Sequence, residues 1–265
     1  MATLHGAFPL AAPWRWAVAG ALLGLLGGTL VFAPARWLAA AVEQASGQHV
    51  RLAGARGSVW NGSSQLVLSG GAGSDAGVAL PGEVHWRIRP SWLGLQLALR
   101  ADCCLQQPVQ LRATASGLGH AHLRLADSQS QWPAGLLSGL GTPWNTIQLQ
   151  GQLEARTQGL ELDWAAGQVR LSGQLQLDVL GVTSRLSTLS PMGSYRIALH
   201  GGAAPSLHLT TLDGSLNLSG QGEWLGQRLR FRGIASAAPE RVEALSNLLN
   251  IVGRRDGARS IITVG

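Results

Sequence analysis

The chain has 265 residues, of which 46% are hydrophobic and only 13% are charged, so its charged fraction is about half of what soluble domains usually carry. All 20 basic residues are arginine, and the absence of lysine excludes Walker-type phosphate loops, Schiff-base chemistry and lysine general bases. The isoelectric point near 11.1 reflects the absence of lysine and the single tyrosine rather than a basic patch, so we expect no nucleic-acid partner.

An uncharged stretch, 16–35, lies between two arginines near the N-terminus. About 20 apolar residues in a helix cross the hydrocarbon core of a bilayer, and tryptophans flank this stretch where indole rings favour the membrane interfaces. The pattern predicts a transmembrane anchor over 14–35, preceded by a short cytoplasmic leader over 1–13. A cleaved signal peptide is the alternative, because residues 33–35 have the small-x-small form of a cleavage site, but the apolar stretch is longer than a signal core.

Three glycines of the predicted anchor, Gly20, Gly24 and Gly28, recur every four residues. This spacing places them on one helix face and permits close packing of a second membrane helix. The alternative is that a chain rich in glycine and alanine contains this spacing by chance.

After the anchor, the apolar residues first follow a helical period and then the period of a strand. Helical spacing from Trp37 to Ala45, followed by Gly47, predicts an amphipathic connecting helix over 36–48. The domain over 49–265 alternates apolar and polar residues instead. Its clearest alternating segments are 65–70, 84–89, 93–101, 109–116, 120–126, 146–156, 159–167, 168–180, 194–201, 206–224 and 228–236. Because the links between them are short, neighbouring strands must pair antiparallel, which predicts a mainly β fold with a curved, meandering sheet.

Two helical segments interrupt this pattern, at 133–141 and at 239–253. The second begins with Pro239 in its first turn and ends at Gly253, both of which are favoured at these positions. We expect its apolar face to cover an open edge or end of the sheet, and we expect 261–264 to add a last strand.

The two cysteines, Cys103 and Cys104, are adjacent in the sequence. On a regular strand their side chains would point to opposite faces, so we expect two separate thiols. A vicinal disulfide, an intermolecular bond or metal binding are the alternatives.

No arrangement of residues indicates catalysis. His120 and His122 would share one face of a strand, but Asp127 is the one nearby residue that could complete a metal site, and solvent-exposed polar positions explain the pair better. The motifs GxSxG, HExxH, GxGxxG and CxxC do not occur, nor does an EF-hand loop. The sequence therefore predicts a protein without enzymatic activity, catalytic residues, cofactor or metal.

Arginines that alternate with apolar residues suggest an interaction surface instead. In VHWRIRP and RLRFRG, Arg87, Arg89, Arg228, Arg230 and Arg232 could form a basic strip along one sheet face. An ordinary solvated face is the alternative.

The segment GARGSVWNGSSQLVLSG (54–70), following an anchor and a helix, resembles the opening of the type II secretion system protein N family. The later segment VHWRIRPSWLGLQLALRA (84–101) is similar to that family's tryptophan-containing strand and the long strand after it, and LLNIVGRRDGARSIITVG (248–265) is similar to its closing helix, turn and strand. The residues that carry the resemblance are Gly57, Ser58, Val59, Trp60, Gly62, Trp86, Pro90, Leu93, Gly253, Arg254, Asp256, Gly257 and Ser260.

The resemblance implies a single-pass inner-membrane protein whose bulk is periplasmic. It implies a non-enzymatic component of the machinery that exports folded proteins from the periplasm across the outer membrane, with other inner-membrane or periplasmic secretion subunits as partners. We expect docking through a surface that includes Trp60, Trp86 and the arginines named above. The alternative is an envelope protein with a lipid- or substrate-binding groove, because a long curved sheet with an apolar face resembles AsmA-like lipid-handling proteins.

Overall fold

The computed structural model describes residues 14–74, 77–117, 119–165, 167–226 and 228–265. The helices are α1 (Trp14–Val31), α2 (Ala35–Ala45), α3 (Trp144–Ile147) and α4 (Val242–Val252), with 3-10 helices at Ala134–Leu140 and Pro239–Arg241. The strands are β1 (Val50–Gly57), β2 (Asn61–Ser69), β3 (Gly77–Ala79), β4 (Val84–Ser91), β5 (Gly94–Ala101), β6 (Val109–Ala115), β7 (His120–Leu125), β8 (Ser128–Pro133), β9 (Gln150–Ala165), β10 (Gln168–Thr183), β11 (Gly193–His200), β12 (Ser206–Gly214), β13 (Leu216–Leu225), β14 (Arg228–Ala237), β15 (Arg254–Asp256) and β16 (Arg259–Val264).

All the described strands belong to one open antiparallel sheet, which confirms the predicted mainly β fold. Its order is β1-β2-β4-β5-β6-β7-β9-β10-β11-β12-β13-β14-β16-β15, and β3 and β8 pair with β2 and β9. Most neighbours in space are also neighbours in sequence, because the short loops between them permit only hairpin connections.

The long hairpin β9–β10 is the centre of this sheet. Residues 150–156 and 159–165 of the separately predicted segments 146–156 and 159–167 belong to one continuous strand, β9. Gly159 explains the difference, since its φ of +54° lies at a bulge where the pairing of β9 with β10 shifts. The first half of β9 pairs with β8 and its second half with β7, so the sheet forks there.

Cross-strand pairing divides the side chains into an apolar and a polar face. Leu123, Leu162 and Leu171 lie in one row across β7, β9 and β10 and define the apolar face. Arg124 and Glu161 are opposite each other in the adjacent row and define the polar face. Alternation along these strands therefore separates an apolar, leucine-rich side from a polar side that carries the charged residues.

Helical segments cover the apolar face at one end of the sheet, which we call the capped end. There, α4 buries Leu245 and Leu249 against Tyr195 and neighbouring strand residues. The 3-10 helix Ala134–Leu140 packs on the first strands in a second cluster. These two elements occupy the predicted helical segments 133–141 and 239–253. The opposite end, which we call the open end, carries the β4–β5, β6–β7, β9–β10 and β13–β14 turns.

α1 is long and apolar enough to cross a membrane, and none of its residues is buried against the protein. It is followed by α2, which packs along β1 and so covers an edge strand. Since α2 starts beside the β1–β2 turn, α1 ends at the open end of the sheet. The predicted leader, 1–13, lies outside the described residues.

The two cysteines form a vicinal disulfide, so the expectation of two separate thiols is wrong. That expectation assumed a regular strand. Cys103 and Cys104 instead lie in the turn after β5, where consecutive side chains do not alternate between faces. The backbone of this turn lets the two sulfurs meet.

Candidate functional site

Five arginines line a groove on the polar face of β4 to β7. The groove has a volume of about 840 Å³. Its arginines are Arg87 and Arg89 from β4, Arg100 from β5, Arg112 from β6 and Arg124 from β7. We call this site the arginine groove. Each arginine occupies the outward position of an alternating segment, so the sheet collects them from four strands.

Strand pairing brings these charges close together. Arg112 lies directly opposite Arg124, and Gln96 lies between Arg112 and Arg89. Side chains that face each other across antiparallel strands have Cβ atoms about 5 Å apart, and like charges in such pairs are destabilising. The arrangement therefore costs stability unless an anion neutralises it.

The described residues supply little of that neutralising charge. Arg124 Nε lies 3.3 Å from Glu161 Oε1. In the described part of the chain, no carboxylate lies within 4.0 Å of Arg87, Arg89, Arg100 or Arg112, although Asp102 is in the groove wall. The arginine groove is thus an electropositive site with free guanidinium donors.

Arginines at the centre of the same face are paired differently. Asp178 is 3% exposed and accepts two hydrogen bonds from Arg196, at 2.7 Å and 2.8 Å, and one from Arg156 at 3.2 Å. The hydrogen bonds from Arg196 hold the pKa of Asp178 below its usual value, against the opposing effect of burial. Arg156 also bonds Glu154 at 2.9 Å. These guanidiniums pair with carboxylates of the same sheet, so this cluster is structural rather than a binding surface.

Trp86 fixes the position of the arginine groove. Its ring is buried, at 3% exposure, and its Nε1 donates to the carbonyl oxygens of Ser58 and Val59 at 3.3 Å and 3.0 Å. Gly62 faces this ring, and a Cβ at Gly62 would lie 2.5 Å from Trp86 Cζ2. This contact gives a physical reason for the glycine after the GSVW sequence.

Trp60 connects the same region to α1. Its Nε1 donates to the carbonyl oxygen of Leu30 at 2.9 Å, and its own carbonyl oxygen accepts from the amide of Ile88 at 2.7 Å. The amide of Val59 donates to Ala33 at 2.9 Å. The end of α1, the β1–β2 turn and β4 are therefore hydrogen-bonded to one another beside the arginine groove.

The other predicted arginines form a separate group. Strand pairing places Arg228, Arg230 and Arg232 on the same sheet face as Arg87 and Arg89. They lie nine strands away, however, which corresponds to about 43 Å at the usual strand spacing. The single basic strip expected from sequence is therefore two groups.

The remaining predicted site residues have simpler surroundings. A Cβ at Gly20, Gly24 or Gly28 would meet no atom within 4 Å, so that helix face is open, and its use for helix packing stays a prediction. His122 Nδ1 lies 2.6 Å from Asp163 Oδ1 across the β7–β9 pair. No group of three or more His, Cys, Asp or Glu among the described residues could hold a metal ion.

Sequence reasoning found Arg87 and Arg89 but missed Arg100, Arg112 and Arg124. The signal was present, because each of the three alternates with apolar residues in its own segment. Strand order and register were needed to show that these residues converge with Arg87 and Arg89 on one groove.

An extended open sheet with a candidate membrane helix at one end and an arginine-lined groove on one face defines the chain as a mainly β protein with a candidate membrane anchor. The family comparison is more specific, since residues 48–262 match the model of type II secretion system (T2SS), protein N. The match covers most of the chain, so this protein belongs to that family and is a component of the type II secretion machinery. No curated protein and no solved structure matches it.

Proposed function

We propose that this chain is a single-pass inner-membrane component of the type II secretion machinery that acts without catalysis. In this proposal α1 is the membrane span, residues from 36 onward lie in the periplasm, and the β domain docks other secretion subunits. Family membership supports the machinery. The observation that carries the docking role is the set of free guanidiniums in the arginine groove.

The chemistry of the groove favours an acidic protein segment as its partner. A guanidinium has a planar fork of donors that matches a carboxylate in a bidentate pair. Several such groups in one open groove fit a row of Asp or Glu side chains, and charge complementarity of this kind selects partners and accelerates association. The partner is therefore an acidic surface of another secretion subunit.

The hydrogen bonds around Trp60 support docking of subunits close to the membrane span. They couple the β1–β2 turn to the last turn of α1, so the groove is held at a set position relative to the anchor. A docking site fixed near the span can engage subunits of the same membrane. Packing of a second helix on the Gly20, Gly24 and Gly28 face would assist this assembly.

Charge reversal tests the proposal. The double variant Arg89→Glu/Arg112→Glu places two carboxylates where the partner's acids would bind, and like-charge juxtaposition costs several kcal/mol. We expect at least about a tenfold loss of subunits that co-purify from membranes, together with reduced export in a strain that lacks the native chain.

The matched control is Arg228→Glu/Arg230→Glu, which reverses two exposed arginines on β14. It should retain co-purification and export. Normal assembly of the Arg89/Arg112 variant would overturn docking through the groove. A loss of co-purifying subunits confined to the control would show that the docking surface lies on β14 instead.

A second candidate function, a lipid- or substrate-binding groove, is favoured by one observation. Away from the capped end, the apolar face is only partly buried, and its exposed members include Leu95, Trp164 and Val169. A bound acyl chain would cover this face. The test is lipid that stays bound to the purified chain after detergent exchange and is lost from the variant Leu177→Asp/Leu199→Asp, and equal lipid content in both proteins would count against it.

A further inference from the structure

The open end of the sheet carries a continuous apolar edge. Ala115 is opposite Ala121, which is opposite Trp164, which is opposite Val169. Leu93 joins this row because its carbonyl oxygen accepts a hydrogen bond from the amide of Ala115 at 3.1 Å. With Trp92 of the same β4–β5 turn, these residues form what we call the apolar rim.

The large side chains of the apolar rim are unusually exposed. Trp92 and Leu93 are 97% and 67% exposed, and Trp164 and Val169 are 56% and 52% exposed. Scattered exposed apolar residues are ordinary on soluble proteins, but Leu93, Trp164 and Val169 share one row across the β6–β7 hairpin, and Trp92 precedes Leu93 in the same turn. A row of this kind indicates a surface that is covered by an apolar environment outside the domain.

The two ends of the sheet differ in how much of their apolar surface the fold itself covers. At the capped end, α4 and the 3-10 helix Ala134–Leu140 bury the apolar side chains of the strands. Within the described ranges, the four large side chains of the apolar rim all remain more than half exposed. The fold thus covers its apolar residues at one end and leaves them open at the other.

The uncovered end is also the end from which α1 leaves the domain. The β1–β2 turn, which bonds the end of α1 through Trp60 and Val59, lies at the same end of the sheet as the β4–β5 turn. A bilayer that contains α1 would therefore lie next to this end. Trp92, which is almost fully exposed at the tip of its turn, has the amphipathic ring that favours the membrane interface.

We propose that the apolar rim is a second membrane contact, in which Trp92 and Leu93 of the β4–β5 turn, together with Trp164 of β9 and Val169 of β10, enter the interface of the bilayer that α1 spans. This inference rests on the anchoring role of α1 proposed above. Side chains of this kind bind a lipid surface by burying apolar area at the boundary between head groups and acyl chains. Two contacts, one through α1 and one through the apolar rim, would restrict the tilt of the sheet on the membrane.

Photo-cross-linking in vesicles tests the proposal on the full chain. The chain is reconstituted in phosphatidylethanolamine–phosphatidylglycerol vesicles with p-benzoylphenylalanine at one position at a time, and lipid adducts are measured by mass spectrometry. The rim positions are 92 and 164, and position 23 in α1 is the positive control. Position 212 is the matched control, because Leu212 is 43% exposed but lies toward the capped end.

We expect lipid adducts at 92, 164 and 23, and none at 212. Adducts at 23 without adducts at 92 and 164 would overturn the proposed membrane contact of the apolar rim but not the anchoring role of α1. Absence of adducts at 23 would overturn both proposals. Equal yields at 92 and 212 would also overturn the rim. In native membranes, a protein adduct at 92 in place of lipid would show that a subunit covers the rim and would overturn the proposal. Unchanged β-sheet circular dichroism verifies that each variant is folded.

Discussion

Gly62 shows how one residue determines the position of the candidate docking site. Its Cα lies so near the Trp86 indole and the Arg56 carbonyl oxygen that a side chain would meet both at 2.5 Å. The tryptophan in turn bonds the β1–β2 turn. The glycine is therefore required by close packing, and its own φ is not in the left-handed region.

We expect Gly62→Ala to destabilise the protein by about 1–3 kcal/mol, because the Trp86 ring must move to admit a methyl group. Chemical denaturation in detergent measures the change. Gly135→Ala is the control, since the nearest atom to its added Cβ would be 4.0 Å away, and it should shift stability by no more than about 0.5 kcal/mol. Equal effects of the two substitutions would contradict the packing argument.

Asp178 contributes to how the stability of the sheet depends on pH. Its pKa is lowered chiefly by hydrogen bonding to Arg196, so its ionised form stabilises the fold. For a carboxyl with a lowered folded pKa, this contribution is present above the unfolded value near 3.8 and is lost as the pH falls through the folded value.

Asp178→Asn should therefore lower the free energy of unfolding by about 1–3 kcal/mol at neutral pH, because charge-assisted hydrogen bonds to two arginines are weakened. The difference from the native chain should shrink as the pH falls below about 4. Asp256→Asn removes an exposed ion pair with Arg259 and should have a much smaller effect. A difference that persists unchanged into acid would show that Asp178 acts through packing rather than charge.

At the scale of elements, the alternating pattern was sufficient to predict the strands and their antiparallel pairing. It did not single out β1, β3, β8 or β15, nor the short helix α3, because none of them has a sustained run of alternating apolar residues, and it left 206–224 as one segment where the structure has β12 and β13. The continuity of β9 was also missed, since Gly159 looks like a turn residue in sequence and is a bulge in the sheet. The capping role of α4 could be predicted because its apolar face, with Leu245, Leu248 and Leu249, is clear from sequence.

α1 supports one prediction of its own. If the face formed by Gly20, Gly24 and Gly28 packs on another membrane helix, Gly24→Ile should prevent close approach of the two backbones and weaken association by about 1 kcal/mol or more. A reporter of helix association in bilayers measures this effect. Ala19→Ile adds a similar bulk on a different face of α1 and should not change the signal, and equal signals for both variants would refute a role for the glycine face.

At the scale of the whole molecule, sequence reasoning predicted an anchored β-sheet but not the convergence of arginines that defines its candidate site. Arg112 and Arg124 are twelve residues apart, and only the register of β6 against β7 places them opposite each other. The distant position of Arg232 is likewise a consequence of strand order, because adjacent strands add about 5 Å each across the sheet. Local alternation assigns a residue to a face, whereas topology decides its neighbours.

The most direct test of the central claim, that the arginine groove docks an acidic segment of another secretion subunit, is photo-cross-linking in intact cells from position 110. Gln110 lies exposed in the groove wall between the arginines. The account predicts an adduct with a type II secretion subunit that disappears in the Arg89→Glu/Arg112→Glu background. Absence of any subunit adduct from position 110, in cells where the chain is folded and export is active, would contradict it.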